Sequence, residues 1–599
     1  MTSHPTPRDW PNLVTMFFDQ VAARGDRPFL WAKRDGPYQP MSWGDAAARV
    51  TPLARGLIAQ GVGAGDRVVL VSESRPAWPI ADIAIMSVGA ITVPAYTTNT
   101  EADHLHILTD SGAKGAIVST RRLAQRLLPA AAQAPELEFV VTLEDLEDAP
   151  PEGLRVIPMD DLLEVGRARR ENIVEQAAAL TRDDSACIIY TSGTGGVPKG
   201  VVLHHGAILH NCMAGVETLT ELGLGDEVFL SFLPLSHSYE HTGGQFLPIA
   251  IGAEIYYAQG IESLASNMLE ARPTIMMAVP RLYETLHHRI TIGVKKAGGT
   301  KEKLFQKAYD LGRRRHETPA SLGLGDRLMD KAVDKLVRDK IRARFGGRLK
   351  ALVSGGAPLN PEIGMFFTAL GLRLLQGYGQ TESAPLISVN RKNSMKLHTV
   401  GPPVADTEVR IADDGEILVR GELVMKGYWN NEEATNQAIQ DGWLHTGDIG
   451  HLDDDGHLVI TDRKKDIIVN SGGDNIAPQR IEGLLTVTPE IAQAMVAGDK
   501  RPHLVALVVP KDDWLTGWKR ETGKTGDLAS LADDADLHKA LSDAISGVNK
   551  ELSNIEKVRK FIVAREPFTI DNELMTPTMK VRRHKVREIY GDRMEALYR

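Results

Sequence analysis

From about residue 40 to 390 the chain alternates short apolar runs with amphipathic stretches, and this rhythm narrows the fold more than any other feature. Arg67–Ser72, Ala116–Ser119, Phe139–Thr142 and Ser185–Tyr190 read as buried strands, and Ala77–Ala90 reads as a packed helix. Val228–Leu233, Ile275–Val279 and Leu349–Ser354 repeat the strand pattern. Strands alternating with helices predict largely parallel sheets covered on both faces. With 599 residues the chain is too long for one core, so more than one domain is expected.

The texture changes at about 400–460. Glu408–Ala412 and Glu416–Arg420 flank Asp413-Asp414-Gly415, which predicts a hairpin, and Asp454-Asp455-Gly456 predicts a second. After Asp462 the alternating pattern returns, with a strand at Asp466–Val469, a helix at Pro478–Thr486 and a strand at Leu504–Val509. The charged run Thr461–Asp466 between the two parts predicts an interdomain hinge. The expected fold is α/β. A large multi-subdomain N-terminal domain spans 1–462 with a β-rich subdomain at about 400–460, and a small mobile α+β domain spans 463–599.

Charge and cysteine content exclude some functions. The 69 Lys+Arg and 78 Asp+Glu give a net charge of -9, which argues against nucleic acid as a partner. Two cysteines, Cys187 and Cys212, cannot build a disulfide framework or a cysteine-rich metal site, so a cytoplasmic setting is expected. The most apolar stretch, Ile80–Ala95, is short and carries Asp82, so no transmembrane helix is expected. Residues 281–344 hold 17 Lys+Arg against 8 Asp+Glu. That segment reads either as a solvated helical surface or as a peripheral contact with anionic lipid at the inner membrane face. The oligomeric state stays open, a homodimer included.

The strongest local motif is Tyr190-Thr-Ser-Gly-Thr-Gly-Gly-Val-Pro-Lys-Gly200. A buried strand runs into three hydroxyl residues (Thr191, Ser192, Thr194), three glycines (Gly193, Gly195, Gly196) and Lys199, with a helix expected near His205. Glycines let backbone N–H groups close on an anion, hydroxyls add donors, and lysine adds a point charge, so polyphosphate is the expected ligand. Gly200 follows Lys199, so this is not a Walker loop. The bland alternative, a glycine-rich surface turn, does not account for the terminal lysine. His204 and His205 lack metal or triad spacing and are expected to be structural. Asp453-Asp454-Asp455-Gly456 puts His451 where a calcium loop wants its first acidic ligand, and is expected to be a turn.

The loop resembles the signature of the adenylate-forming superfamily, which includes acyl-CoA synthetases, firefly luciferases and the adenylation domains of peptide synthetases. Gly195 stands where threonine is more usual. Gln376–Ser383, Gly421–Trp429, Leu444–Asp448, Asp462–Asp466, Asn470–Ile476 and Thr576–Arg582 resemble further motifs of that family, in its order.

The resemblance implies ATP, Mg²⁺ and CoA as co-reactants and assigns roles. Thr191, Ser192, Gly193, Thr194, Gly195, Gly196 and Lys199 would hold phosphates. Gly355, Gly356 and Ala357 would flank the base, with Gln376, Gly377, Tyr378 and Gly379 beside it and Tyr378 stacked on adenine. Thr381 would donate to the α-phosphate, and Glu382 with Thr194 would hold Mg²⁺. Asp448 and Arg463 would take the ribose. Lys580 would bridge carboxylate and α-phosphate, Lys465 would be the hinge, and Gly472 and Gly473 would lie on the CoA side.

Phe232–His241, Ala278–Glu284 and Gly347–Gly356 resemble the long-chain acyl-CoA synthetase branch, with His237, Tyr239 and His241 beside an acyl tunnel. The implied function is activation of a fatty acid to acyl-AMP and transfer to CoA. Alternatives are an acyl-AMP ligase loading a carrier protein, a medium-chain or aryl acid–CoA ligase, and a non-catalytic fatty-acid uptake or binding protein.

Overall fold

The computed structural model describes residues 6–33, 36–146, 149–191, 197–576 and 581–599. The predicted alternation folds into two eight-stranded sheets. One runs, in spatial order, Gly427–Tyr428, Lys199–His204, Ser185–Thr191, Ile91–Ala95, Arg67–Val71, Gly115–Val118, Phe139–Thr142 and Val156–Pro158. The other runs Leu386–Val389, Leu374–Gly379, Ala351–Ser354, Ile275–Ala278, Val228–Ser231, Glu254–Tyr257, Pro28–Ala32 and Gln39–Ser42.

The central strands of both sheets pair in parallel. Ile91–Ala95, Gly115–Val118 and Ile275–Ala278 are buried along their whole length. That is why they appear in the sequence as unbroken apolar runs rather than as alternating ones. One hydrophobic core joins the sheets, with Val68 and Leu70 from the first and Phe229, Ile255 and Ile275 from the second. The helices Ala77–Ser87 and His205–Leu222 contribute Ile83, Met86, Ile208 and Cys212 to it.

The β-rich unit is antiparallel throughout, built from Glu408–Ile411, Glu416–Arg420, Ile439–Gln440, Trp443–Leu452 and Leu458–Arg463. Both predicted turns are present, and Gly415 and Gly456 take φ of 84° and 77° there, a conformation glycine reaches without a Cβ penalty. Asp453 closes its turn by accepting from the Gly456 amide, and its carboxylate pairs with Lys396 at 2.6 Å. The aspartates therefore serve a hairpin.

The C-terminal part carries a three-stranded sheet of Ile491–Ala497, Leu504–Pro510 and Val558–Val563. Alternate residues of the middle strand feed two cores. Leu504, Ala506 and Val508 pack with the helices Pro478–Val487 and Ala535–Asn549, and Val505, Leu507 and Val509 pack with Arg583–Glu595. Between Ile275–Ala278 and Ala351–Ser354 the chain makes a helical excursion through Pro280–Ala297, Gly299–Glu317 and Leu324–Val333. Among the described residues no helix is long and apolar enough to cross a membrane.

Candidate active site

The phosphate motif is flanked by a hairpin: Lys199 begins a strand that the sequence did not single out, and the helix expected near His205 follows that strand. Ser185–Thr191 and Lys199–His204 pair antiparallel, with Thr191 opposite Lys199. The helix His205–Leu222 starts only after that second strand, and the His204 ring accepts from the Ala207 amide to cap it. His205 is buried and accepts from the Leu13 amide at 3.4 Å, so both histidines are structural, as expected. Ser192, Gly193, Thr194, Gly195 and Gly196 lie outside the described residues, as does Lys580.

A third strand brings a residue the sequence did not single out. Gly427–Tyr428 pairs with Lys199–His204, Tyr428 opposite Val201. Lys199 Nζ lies 5.0 Å from the centre of the Tyr428 ring, and the Tyr428 hydroxyl donates to Glu382 Oε1 at 2.8 Å. Burial, then the Glu382 charge, pushes the Tyr428 phenol up, so it stays a donor at neutral pH. Lys199, Tyr428 and Glu382 thus form one cluster at the root of the phosphate hairpin.

Glu382 follows the strand Leu374–Gly379, which carries Gln376, Gly377, Tyr378 and Gly379. Gly379 has to be glycine, since a Cβ there would sit 1.6 Å from the Pro385 carbonyl oxygen. Thr381–Ser383 form a short turn, and Met425 donates its amide to the Glu382 carbonyl at 2.9 Å. Thr381 Oγ1 lies 3.2 Å from Ser238 Oγ, which joins the segment Phe232–His241 to the turn Thr381–Ser383.

Asp448 is buried and sits opposite Arg463 in adjacent strands, with Arg463 Nε 3.4 Å from Oδ1. The Tyr378 hydroxyl donates to the other oxygen at 2.6 Å. Tyr378 and Arg463 together hold the Asp448 carboxylate in one orientation. A hydrogen bond to a charged group contributes about 1.5–3 kcal/mol. Tyr378→Phe is therefore expected to raise KM for ATP about tenfold or more while the fold is retained. An unchanged KM in a pyrophosphate-exchange assay would remove this positioning role.

Gly355, Gly356 and Ala357 follow the strand Ala351–Ser354, and Gly356 has φ 82°. A Cβ on Gly355 would meet the Tyr239 ring at 3.2 Å. The hydroxyls of Tyr239 and Tyr283 both donate to the Val353 carbonyl at 3.0 Å, so Tyr239 is clamped under the glycine strand. His237 accepts from the Tyr239 amide at 3.1 Å. His241 turns away from this wall: fully buried, it meets Asp82 at 3.0 Å, and Gln245 donates to the same carboxylate at 2.7 Å. Glu240 beside it is also buried, and burial pushes its carboxyl up to about 8. The sequence singled out neither Asp82 as a partner of this segment nor Glu240 within it.

The segment expected to be the hinge lies between two anchored sets. Lys464 donates its amide to the Gly447 carbonyl at 2.8 Å, and its ammonium reaches Asp414 at 2.6 Å and Glu416 at 3.0 Å. On the other side Arg583 pairs with Glu482 at 2.5 Å and approaches Asp466 at 3.9 Å. Asp462 is buried between them, and burial raises its carboxyl to about 7. Gly472 and Gly473 form an exposed loop, with Asn470 Oδ1 accepting from the amides of Gly472 and Asp474 at 2.8 and 2.9 Å.

Among the described residues no group of three or more His, Cys, Asp or Glu side chains could hold a metal ion. Glu382 is a single half-buried carboxylate, linked through Tyr428 to Lys199. That donor set fits Mg²⁺, which keeps waters and is shared between one or two carboxylates and substrate phosphates.

The chain is similar to known proteins along most of its length. Residues 17–429 match the family described as AMP-binding enzyme, and residues 465–599 match the AMP-binding enzyme C-terminal domain. "Long-chain-fatty-acid--CoA ligase FadD15" of Mycobacterium bovis is 36% identical over 597 residues, covering 98% of this chain and 97% of the relative. "Long chain acyl-CoA synthetase 6, peroxisomal" of Arabidopsis thaliana is 33% identical, covering 94% of this chain and 82% of the relative. Among solved structures, the A-PCP didomain of a carboxylic acid reductase from Segniliparus rugosus, in complex with AMP, superposes with a TM-score of 0.76. It is 21% identical and covers 100% of this chain and 82% of that one, a likeness of fold.

Proposed function

This chain belongs to the AMP-binding enzyme family, and on that premise we propose how its residues carry out the ligation. It is an ATP-dependent, AMP-forming long-chain fatty acid–CoA ligase. In the first half-reaction a carboxylate oxygen attacks the α-phosphorus of ATP, the bond to pyrophosphate breaks, and acyl-AMP forms. In the second a thiol sulfur attacks the acyl carbon, AMP leaves, and the thiol proton is released.

Neither half-reaction needs an enzyme nucleophile, so the protein's work is positioning and charge stabilisation. The observation that carries the residue assignment is the Lys199–Tyr428–Glu382 cluster at the root of the hairpin. Lys199 and the hairpin hydroxyls and amides, Thr191 to Gly196, cradle the phosphates. Thr381 donates to the α-phosphate. Glu382, with Thr194, would hold Mg²⁺, which when bound neutralises phosphate charge. Asp448, fixed by Tyr378 and Arg463, takes the ribose hydroxyls, and Gly355, Gly356 and Ala357 line the base. Tyr239, clamped to Val353, borders the acid site along with His237. Lys580 supplies the cation between the two reacting anions.

We place the domain boundary at 462/463, with Lys465 as the hinge and Gly472 and Gly473 moving over the thiol channel for CoA. The two buried thiols, Cys187 and Cys212, suit a reducing cytoplasm.

A panel of acids from C2 to C20, with ATP, Mg²⁺, labelled pyrophosphate and CoA, tests this reading. Exchange and CoA thioester should both peak at long chains. A peak at medium-chain or aryl acids would reassign the acid. Accumulating acyl-AMP without CoA thioester would reassign the acceptor to a carrier protein. Absence of exchange with every acid would overturn the ligase reading.

A further inference from the structure

The helical excursion ends in a helix that buries an arginine and turns several leucines outward. Leu324–Val333 continues through Asp334–Arg338 into Asp339–Arg344 without leaving the helical path. Its inward face sets an ion pair among the apolar side chains Val333, Val337 and Ile341. Arg338 is fully buried, 2.7 Å from Asp330, and donates to the carbonyls of Ala369 at 2.8 Å and Ala308 at 2.6 Å. Its outward face is apolar. Leu324 is 82% exposed, Leu328 70%, Leu336 53% and Met329 44%. Leu324 and Leu328 are the two most exposed large apolar side chains among the described residues.

A helix of a globular protein ordinarily turns its leucines in and its charges out. Ordering four large apolar groups on the water side is unfavourable unless something covers them. The same outward face shows what fits. Arg327, Lys331, Lys335, Lys340 and Arg344 are exposed among the leucines, against one exposed acid, Asp339. Apolar side chains flanked by cations complement an anionic lipid surface, with leucines in the acyl boundary and ammonium groups at the headgroups. The two strands that carry the excursion are Ile275–Ala278 and Ala351–Ser354, and the second leads directly into Gly355 of the proposed site.

We propose that the outward face of Leu324–Arg344 docks on an anionic bilayer surface, which would place the acid site beside the phase where fatty acids dissolve. Docking is a physical property of this face and is tested without catalysis, so its failure is distinct from failure of the ligase reading.

The test is flotation of the full chain with vesicles of phosphatidylcholine alone or with about a third phosphatidylglycerol, at low and high salt. The expected result is binding to the anionic vesicles that weakens with salt as surface charge is screened. The triple variant Leu324→Ser, Leu328→Ser, Leu336→Ser and the triple variant Lys331→Glu, Lys335→Glu, Lys340→Glu should each lose more than about tenfold in partitioning. Both should keep wild-type ligation of a detergent-dispersed acid, which shows that they are folded. Wild-type protein that stays out of anionic vesicles at low salt overturns the proposal. So does a leucine variant that floats like wild type. Leucine-dependent dimerisation in sedimentation, with no vesicle binding, also overturns it and gives the face to a second copy.

Discussion

Lys580→Ala is expected to slow acyl-adenylate formation about 10²–10³-fold, the range for removing one preorganised donor to a developing charge, while thioester formation from supplied acyl-AMP stays largely intact. The asymmetry follows from the two half-reactions. In the first, a carboxylate must reach a phosphate that repels it, and the charge on the five-coordinate phosphorus is greatest where they meet. A cation placed there acts on the transition state more than on either ground state. In the second, a neutral or thiolate sulfur attacks an acyl carbon whose phosphate is leaving, and a cation bridging carboxylate and phosphate has no such role.

The variant should also fold. The described residues on either side of the segment are tied together, with Met575 bridged to Val581 and the Arg582 amide donating to the Leu574 carbonyl at 2.8 Å. Arg583 anchors the following helix to Glu482. The assay pairs pyrophosphate exchange with thioester formation from synthetic acyl-AMP. Equal losses in both would sink the assignment.

Much of this was legible because parallel sheets are buried on both faces. Runs such as Ile275–Ala278 and Phe139–Thr142 have no polar side to interrupt them, so their strands stand out locally. The two Asp-Gly turns were legible because positive φ restricts the residue type. Features set by pairing distant strands were not. Tyr428 lies within the quoted segment Gly421–Trp429, but its role depends on pairing with Lys199–His204, which no local periodicity encodes. A hint was available, an aromatic hydroxyl in a short glycine-bearing strand.

The same limit hides the strand Lys199–His204 between the loop and the expected helix. Lys199–His204 is a buried six-residue strand directly abutting the apolar start of His205–Leu222, so the two merge into one apolar run. The buried pairings of Asp82 with His241 and of Arg583 with Glu482 are contacts between distant segments and left no local trace. The charge excess of residues 281–344 was visible in composition, but which of its leucines face outward depends on Arg338 being buried, and only the packing reveals that.

Lys465→Pro should lower CoA thioester formation about 10²-fold, the scale of a small misplacement of reacting groups, while pyrophosphate release from ATP and acid changes little. The neighbours of Lys465 support the proposed pivot at this residue. Lys464 is bound to the β-rich unit through Gly447, Asp414 and Glu416. Asp466 faces the C-terminal side, within 3.4 Å of Gln479 and 3.9 Å of Arg583. Torsions at Lys465 can therefore change without breaking either set, whereas rotation one residue earlier would cost the Lys464 ion pairs.

Proline fixes φ near −65° and also drives the preceding residue toward extended conformations. The backbone turn closed by the Asp466 amide on the Arg463 carbonyl, at 2.9 Å, would then be held in one geometry. An enzyme restrained to a single domain arrangement keeps the half-reaction that arrangement serves and loses the other. Lys465→Ala, which leaves φ free, should retain both half-reactions and separates the effect of the backbone from that of the side chain. If Lys465→Pro leaves both half-reactions at wild-type rates, or depresses them in parallel, the pivot is not at this residue.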